Sequence, residues 1–320
     1  MKRIIALFLT PFLFLGCQKR EVSSFMEENG KINVLSTTAM IDDLVGFIGG
    51  EEVNHLSLIV GDLDPHSYEL VKGDDEKFSR AHVIFSNGLG LEHGASLSYQ
   101  LKRHPHALAL GDLVYAASPE RFIYYEGELD PHFWMDVALF SECIDPIVSA
   151  LSKQDLTHAS LFAERGEELK RKMAQKDREL LQTMHAVPSE KRFLVSSHDA
   201  FFYFAKKYLA EPEEKGWVNR FMAPEGLAPD GQMSLRDIQK VATFLCEHEI
   251  HVVFPETNVN QDALRKIIAV CREKGHPVRI VETPLFGDTM GEKGTGASTY
   301  LKMIEHNVTV LKQELPQKAP

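Results

Sequence analysis

The chain has 320 residues, of which 44% are apolar, 9% aromatic and 25% charged. That composition is globular and excludes wholesale disorder. Its 35 Lys and Arg against 46 Asp and Glu leave a net charge of −11, and so acidic a surface repels phosphate backbones, which argues against a nucleic-acid partner. Residues Met1–Arg3 give a short basic start, and Ile4–Leu15 (IIALFLTPFLFL) is almost wholly apolar but too short to span a bilayer comfortably. Residues 1–16 therefore read as a secretory signal. The Leu15-Gly16-Cys17 ending resembles a bacterial lipobox, with Phe14 where Leu is usual, so Cys17 is the expected lipidation site. Polar residues 17–30 read as a flexible tether.

From Lys31 short apolar runs alternate with amphipathic stretches. Strands are expected at 32–35, 56–60, 83–85 and 108–110, and helices at 41–48, 74–80, 91–101 and 137–151. This alternation implies βα units and a parallel sheet, forming an N-terminal α/β lobe over 31–152. The texture changes at Gln154–His185, which has no Pro and one Gly. Phe162, Leu169, Met173, Leu180 and Met184 place one apolar stripe along a single long helix, with two helices joined near Gly166 as the alternative. We assign 153–187 to this linking helix. Alternation then resumes over 188–320, the C-terminal α/β lobe. Strands are expected at 193–196, 252–254 and 278–281, and helices at 200–208, 235–247, 264–271 and 298–311. The fold class is α/β, two parallel-sheet lobes flanked by helices and joined by one long helix, with a ligand cleft between them. Cys246 and Cys271, in consecutive helices, are the only pairing candidates; buried free thiols are the alternative.

One pattern repeats. Leu63-Asp64-Pro65-His66-Ser67-Tyr68-Glu69 is echoed by Leu129-Asp130-Pro131-His132-Phe133-Trp134-Met135-Asp136. Pro fixes its own φ and biases the Asp before it toward extended geometry, so each loop aims its imidazole. A third His lies in Ser196-Ser197-His198-Asp199, and Asp288 lies in Leu285-Phe286-Gly287-Asp288-Thr289. All four are expected at carboxyl ends of strands, where α/β sheets bind ligands. Three imidazoles and a carboxylate suit a divalent transition metal. Binding should weaken below about pH 6.5, since imidazole must be neutral to ligate. Glu256, Asp64, Asp130 and Asp199 are candidates to orient these ligands, or to cap helices. Trp134, Phe201 and Phe202 either dry the cleft or belong to the core, with core favoured for Phe202.

Other motifs carry less. His104-Pro105-His106 lies beside Lys102 and Arg103, whose charge disfavours a cation. Gly287–Gly296 lacks the Gly-Lys-Ser/Thr ending of a P-loop, Asn87-Gly88-Leu89-Gly90 lacks the third Gly of a dinucleotide fingerprint, and Ser197 is outside a GxSxG elbow. A secreted zinc hydrolase would need an open coordination position and a base, and the sequence offers neither HExxH nor an obvious base. A surface adhesin would rest on the anchor alone.

Together, DPHSYE around His66, NGLGLE at 87–92, DPHFWMD around His132, SHDAFFYF around His198, GLAPDGQMSLRDI from Gly226, and LFGDTMG followed by Tyr300 and Asn307 resemble the metal-binding solute-binding proteins of ABC transporters, cluster A-I. The resemblance covers the whole mature chain. It implies two α/β lobes on a backbone helix, no enzymatic activity, and His66, His132, His198 and Asp288 as ligands for one Zn2+, Mn2+ or Fe2+/Fe3+ ion. It also implies an extracytoplasmic, lipid-anchored monomer in the periplasm or at the cell surface. This monomer would serve an ABC permease whose ATPase is a separate polypeptide. Manganese-selective members often carry Glu where His198 stands. Dedicated zinc receptors carry a long His-rich loop before the second ligand, whereas Ala117–Glu128 is short and has no His. Manganese and iron thus stay open beside zinc.

Overall fold

The computed structural model describes residues 22–227 and 234–315. Cys17, the signal segment and part of the GLAPDGQMSLRDI run lie outside them. The first lobe is a four-stranded parallel sheet in the order β2-β1-β3-β4, with β1 Ile32–Ser36, β2 Val53–Ser57, β3 Val83–Ser86 and β4 Ala107–Ala109. Both faces of β1 are covered. Ile32 and Val34 enter the main core, while Leu35 joins a second cluster with Leu56, Phe78 and Leu97. Burial on two faces is why Val83–Phe85 of β3 reads as a continuous apolar run instead of alternating.

The tether expectation is corrected from residue 22 onward. Residues 22–26 are helical and Phe25 is fully buried in that second cluster. The Phe25 carbonyl accepts from Asn33 Nδ2 at 2.9 Å, and Asn29 and Asn54 exchange amide hydrogen bonds at 3.2 and 3.0 Å. One aromatic side chain in a polar stretch was the overlooked signal.

A short antiparallel hairpin, β5 Tyr124–Tyr125 with β6 Glu128–Leu129, leads to His132. The single helix expected over 137–151 is interrupted. Val137–Phe140 is followed by a tighter turn at Ser141–Cys143, and the helix proper spans Ile144–Gln154. Pro146, near the start of that helix, has no N–H to continue the ladder backward.

The long helix is one element, Ala159–His185, 27 residues and about 40 Å at 1.5 Å per residue. All five stripe residues are buried. Its only glycine, Gly166, is a contact point and not a break: a Cβ there would lie 2.7 Å from Val148 Cγ2 and 3.2 Å from Ile144 Cγ2. The helix packs on 39–49 and 144–154 of the first lobe and on 205–209 and 300–314 of the second.

In the second lobe β7 Leu194–Val195 pairs in parallel with β8 Phe221–Met222, and β9 Val252–Val253 pairs in parallel with β10 Arg279–Ile280. The Phe254 amide donates to the Val195 carbonyl at 2.9 Å, joining the pairs in the order β8-β7-β9-β10. The first lobe's plan is thereby repeated. Helices Leu235–Glu247 and Asp262–Glu273 cover one face with Ile238, Val241, Leu264 and Ile267. The described cysteines, Cys143, Cys246 and Cys271, are free. The expected helix at 200–208 is a turn at Phe202–Phe204 continued by a wider π-type turn at 205–209. The last helix is Tyr300–Glu314.

One core runs through both lobes, and named hydrogen bonds tie them. Trp134 Nε1 donates to the Gly287 carbonyl (3.0 Å), Tyr300 Oη to the Trp134 carbonyl (2.6 Å) and Tyr203 Oη to the Asp130 carbonyl (3.1 Å).

Candidate metal centre

The loops after β2, β6, β7 and β10 deliver His66, His132, His198 and Asp288 to one point. Three follow parallel strands, as expected. His132 differs, because its loop leaves the antiparallel hairpin, which the sequence reading did not anticipate. Each residue offers one donor atom within 4.8 Å of the others, and all four are buried. His66 Nε2 lies 3.1 Å from His132 Nε2. Asp288 Oδ2 lies 3.1 Å from His198 Nε2 and 3.8 Å from His66 Nε2, and Asp288 Oδ1 lies 3.5 Å from His132 Nε2. Among the described residues this is the one such cluster of three or more potential ligands; His104 and His106 acquire no third partner.

The supporting groups sort by what they touch. Asp130 Oδ1 lies 2.7 Å from His132 Nδ1 and also accepts the His132 amide at 2.9 Å. Glu256 Oε2 lies 2.8 Å from His198 Nδ1. Such contacts fix which ring nitrogen faces inward. Asp64 acts differently: it accepts the His66 amide at 2.9 Å and the Ser67 hydroxyl at 2.5 Å, shaping the turn without touching the ring. Asp199 is buried beside His198, and burial pushes its carboxyl well above the usual range. It makes no described contact with a ligand ring. Trp134 packs edge-on to His132 with centroids 5.1 Å apart, whereas Phe202 packs on Tyr125 and Phe221 in the core.

Four further residues were given no supporting role by the sequence reading, although Asn87, Glu92 and Asn307 fall in quoted motifs. Glu92 is buried and accepts from Thr37 Oγ1 (2.6 Å), the Asn87 amide (2.7 Å) and the Gly88 amide (3.0 Å). Asn87 Nδ2 in turn donates to the Pro131 carbonyl at 3.1 Å. Gly88, Leu89 and Gly90 all have positive φ, which explains the Gly-Leu-Gly run. Asn307 receives the Phe286 amide at 2.9 Å and donates to its carbonyl at 2.8 Å, steadying the Asp288 loop. Asn258 Nδ2 donates to Asp288 Oδ2 at 3.2 Å.

Electrostatics set His66 and His198 apart. Burial holds His66 well below the ordinary value. Burial also opposes charge on His198, but the Glu256 and Asp288 carboxylates outweigh it and hold the pKa well above ordinary. Burial opposes charge on Asp288 too, and the His198, His132 and His66 rings overcome it, leaving that carboxyl well below the usual range. A narrow cleft lined by Thr38, Leu63, Pro65 and Met290 among others reaches Asp288 from outside. Three nitrogens and a carboxylate converging in a water-poor space fit the donor chemistry of a first-row transition metal.

Known proteins share this plan. Residues 34–314 match the family model described as zinc-uptake complex component A, periplasmic (ZnuA). The chain is 38% identical over 316 residues to the metal-binding protein YtgA of Chlamydia pneumoniae, covering 98% of this chain and 94% of that one. It is 30% identical over 314 residues to the manganese-binding lipoprotein MntA of Bacillus subtilis, covering 97% of each. The crystal structure of Fe(III)-bound YtgA from Chlamydia trachomatis superposes with a TM-score of 0.84 at 34% identity, over 91% of this chain and all of that one. Matched across nearly its whole length, the chain belongs to the ZnuA family of metal-binding ABC-transporter solute-binding proteins.

Proposed function

We propose that this protein is an extracytoplasmic receptor that binds one transition-metal ion and passes it to an ABC permease served by a separate ATPase subunit. His66, His132, His198 and Asp288 hold the ion. The observation that carries the reading is four buried donors within 4.8 Å of one another, contributed by both lobes. The relatives support it: YtgA is named as metal-binding and solved with Fe(III), and MntA is named as manganese-binding. Zinc, manganese and iron are all within the chemistry of the site.

The anchor reading goes with this. Residues 1–16 would be removed and Cys17 lipidated, leaving a monomer held at a membrane outside the cytoplasm. The lobes are taken as 31–152 and 188–320 on a linking helix at 153–187, with the segment that carries the buried Phe25 packed on the first. A hydrolytic role fits poorly. Glu256, which lies against the His198 ring and accepts two backbone amides, is thereby engaged and not free to serve as a general base.

The test is metal content and competitive affinity for zinc, manganese and iron at controlled free concentrations, with His198→Ala as control. One bound equivalent that is lost in the variant, with no hydrolytic turnover, is the expected result. Absence of stoichiometric metal at neutral pH would overturn the shared site.

A further inference from the structure

Asp288 is held by more than its neighbouring imidazoles. Its Oδ2 faces His198 Nε2 at 3.1 Å and receives Asn258 Nδ2 at 3.2 Å. Its Oδ1, turned toward His132 Nε2 at 3.5 Å, is buried and has no hydrogen-bond partner among the described residues. Asn258 lies on the loop after β9, two residues past Glu256. The loop is pinned beside Asp288 by the Thr257 amide, which donates to the Leu285 carbonyl at 3.1 Å, and by the Thr257 and Thr289 hydroxyls, 2.7 Å apart. The amide orientation of Asn258 is dictated by charge: reversed, it would set two oxygens against each other at 3.2 Å.

We propose that Asn258 is a positioning residue that fixes how Asp288 meets the ion, favouring five- or six-coordinate manganese or iron relative to four-coordinate zinc. The inference rests on the metal-binding reading above. Three imidazoles and one carboxylate oxygen complete the tetrahedron zinc prefers. Larger coordination numbers need a further donor, from the second carboxylate oxygen or a retained water. The terminal torsion of Asp is broad. The Asn258 hydrogen bond narrows it to the orientation in which Oδ2 faces His198 and Oδ1 faces His132, so that both oxygens are turned into the ligand cluster.

A second observation points the same way. Asn258 Oδ1 is itself buried and without a hydrogen-bond partner among the described residues. Buried acceptors are rarely left unpaired. A water retained by a bound ion is a donor of the right chemistry for that oxygen, and a four-coordinate zinc saturated by protein would bring none.

The experiment uses the full chain purified in detergent, with affinities for manganese and zinc measured by chelator competition and the coordination number of each bound metal read by X-ray absorption. Asn258→Leu removes both the donor and the orphaned acceptor. It is expected to weaken manganese binding about tenfold, the scale of one hydrogen bond to a charged group. Zinc binding should change by less than about threefold on the same reasoning, and the manganese coordination number should fall. Asn258→Ala carries the same expectation should the Leu variant fail to fold. An equal fall for both metals, or an unchanged ratio, overturns the inference while leaving the metal site intact. Failure of the unaltered protein to bind any of these ions overturns the underlying reading, and this inference with it.

Discussion

Glu256 grips His198 from two directions. Its Oε2 lies 2.8 Å from the ring Nδ1, while its Oε1 accepts the backbone amides of Ser197 and His198 at 2.9 and 3.0 Å. One carboxylate thereby sets both the loop and the ring it carries. Glu256→Ala removes the partner that orients the ring and leaves two buried amides unpaired. Losses of ~10–100-fold in metal affinity are typical for such supporting groups. We expect that range by chelator competition, with Glu256→Gln nearer the lower end because its carbonyl oxygen still accepts. Unchanged affinity in Glu256→Ala would show that the ring needs no such support.

The same carboxylate sets a pH dependence. Ordinary imidazoles would lose metal only below about pH 6.5. In the metal-free protein, however, Glu256 and Asp288 hold the His198 pKa well above ordinary against the opposing effect of burial, whereas burial holds His66 low. His198 must therefore shed a proton on binding at neutral pH, while His66 does not. Below the raised pKa of His198 affinity should climb by about one decade per pH unit. Calorimetry in buffers of different ionisation enthalpy should report about one proton released at neutral pH. A flat affinity between pH 6 and 8 would contradict this assignment.

Gly287 precedes Asp288 and faces the Glu256–His198 pair. A Cβ there would collide with Glu256 Oε2 and come 3.3 Å from His198 Cε1. Backbone conformation is not the obstacle, since Gly287 is not among the positive-φ glycines. Gly287→Ala should therefore fold, keep its metal-free melting temperature within a few degrees, and lose about tenfold or more in metal affinity, because displacing Glu256 misaims the ring. Affinity equal to the parent's would mean that Glu256 can move aside without consequence.

The sequence pointed to His66 and His132 because a Pro-restrained loop and a repeated tripeptide are legible without tertiary knowledge, and the structure brings both beside His198 and Asp288. It carried the long helix because the Phe162–Met184 stripe keeps one helical face throughout, and the alternative break near Gly166 does not form. What it hid has a common cause. Glu92, Asn258 and Asn307 act through hydrogen bonds to residues distant in sequence or to backbone groups, so their roles were hidden even where, as for Glu92 and Asn307, the residue lay in a quoted motif. Asp64 and Asp130 occupy the same place in the repeated motif, yet only Asp130 reaches its histidine ring. Identical local sequence met different surroundings. The strands of the second lobe were overestimated in length because apolar runs report burial, and burial continues past the last ladder bond.

Asp43 joins the lobes by a contact of uneven value. Its Oδ2 accepts the Tyr300 amide at 2.9 Å, at the start of the last helix. Burial nonetheless raises its pKa to about 6, with the Tyr300 hydrogen bond only partly compensating. The unfolded chain ionises at lower pH than the folded one, so this group erodes stability as pH rises from about 4 to about 6. Asn at this position keeps an acceptor oxygen and removes the charge. Asp43→Asn should raise metal-free stability at pH 7.5, by at most about 3 kcal/mol, and have little effect near pH 3.5. Equal effects at the two pH values would assign the change to packing and not to ionisation.

Gly166 tests the long helix itself. In an exposed helix interior, Gly→Ala stabilises by roughly 1 kcal/mol because Ala restricts the unfolded chain and favours the helix. Here the added Cβ would lie 2.7 Å from Val148 Cγ2, a branched side chain on the neighbouring helix Ile144–Gln154. Overpacking of this kind costs roughly 1–3 kcal/mol, so the two effects oppose and the steric one is expected to win. Gly166→Ala alone should lower stability in denaturant melts. Val148→Ala should lower it as well, by leaving a gap. The double variant should be more stable than the two single changes predict, because the new methyl fills the space the valine vacates. Additive losses would mean that the helices separate slightly to admit the methyl and that Gly166 is not required for their close approach.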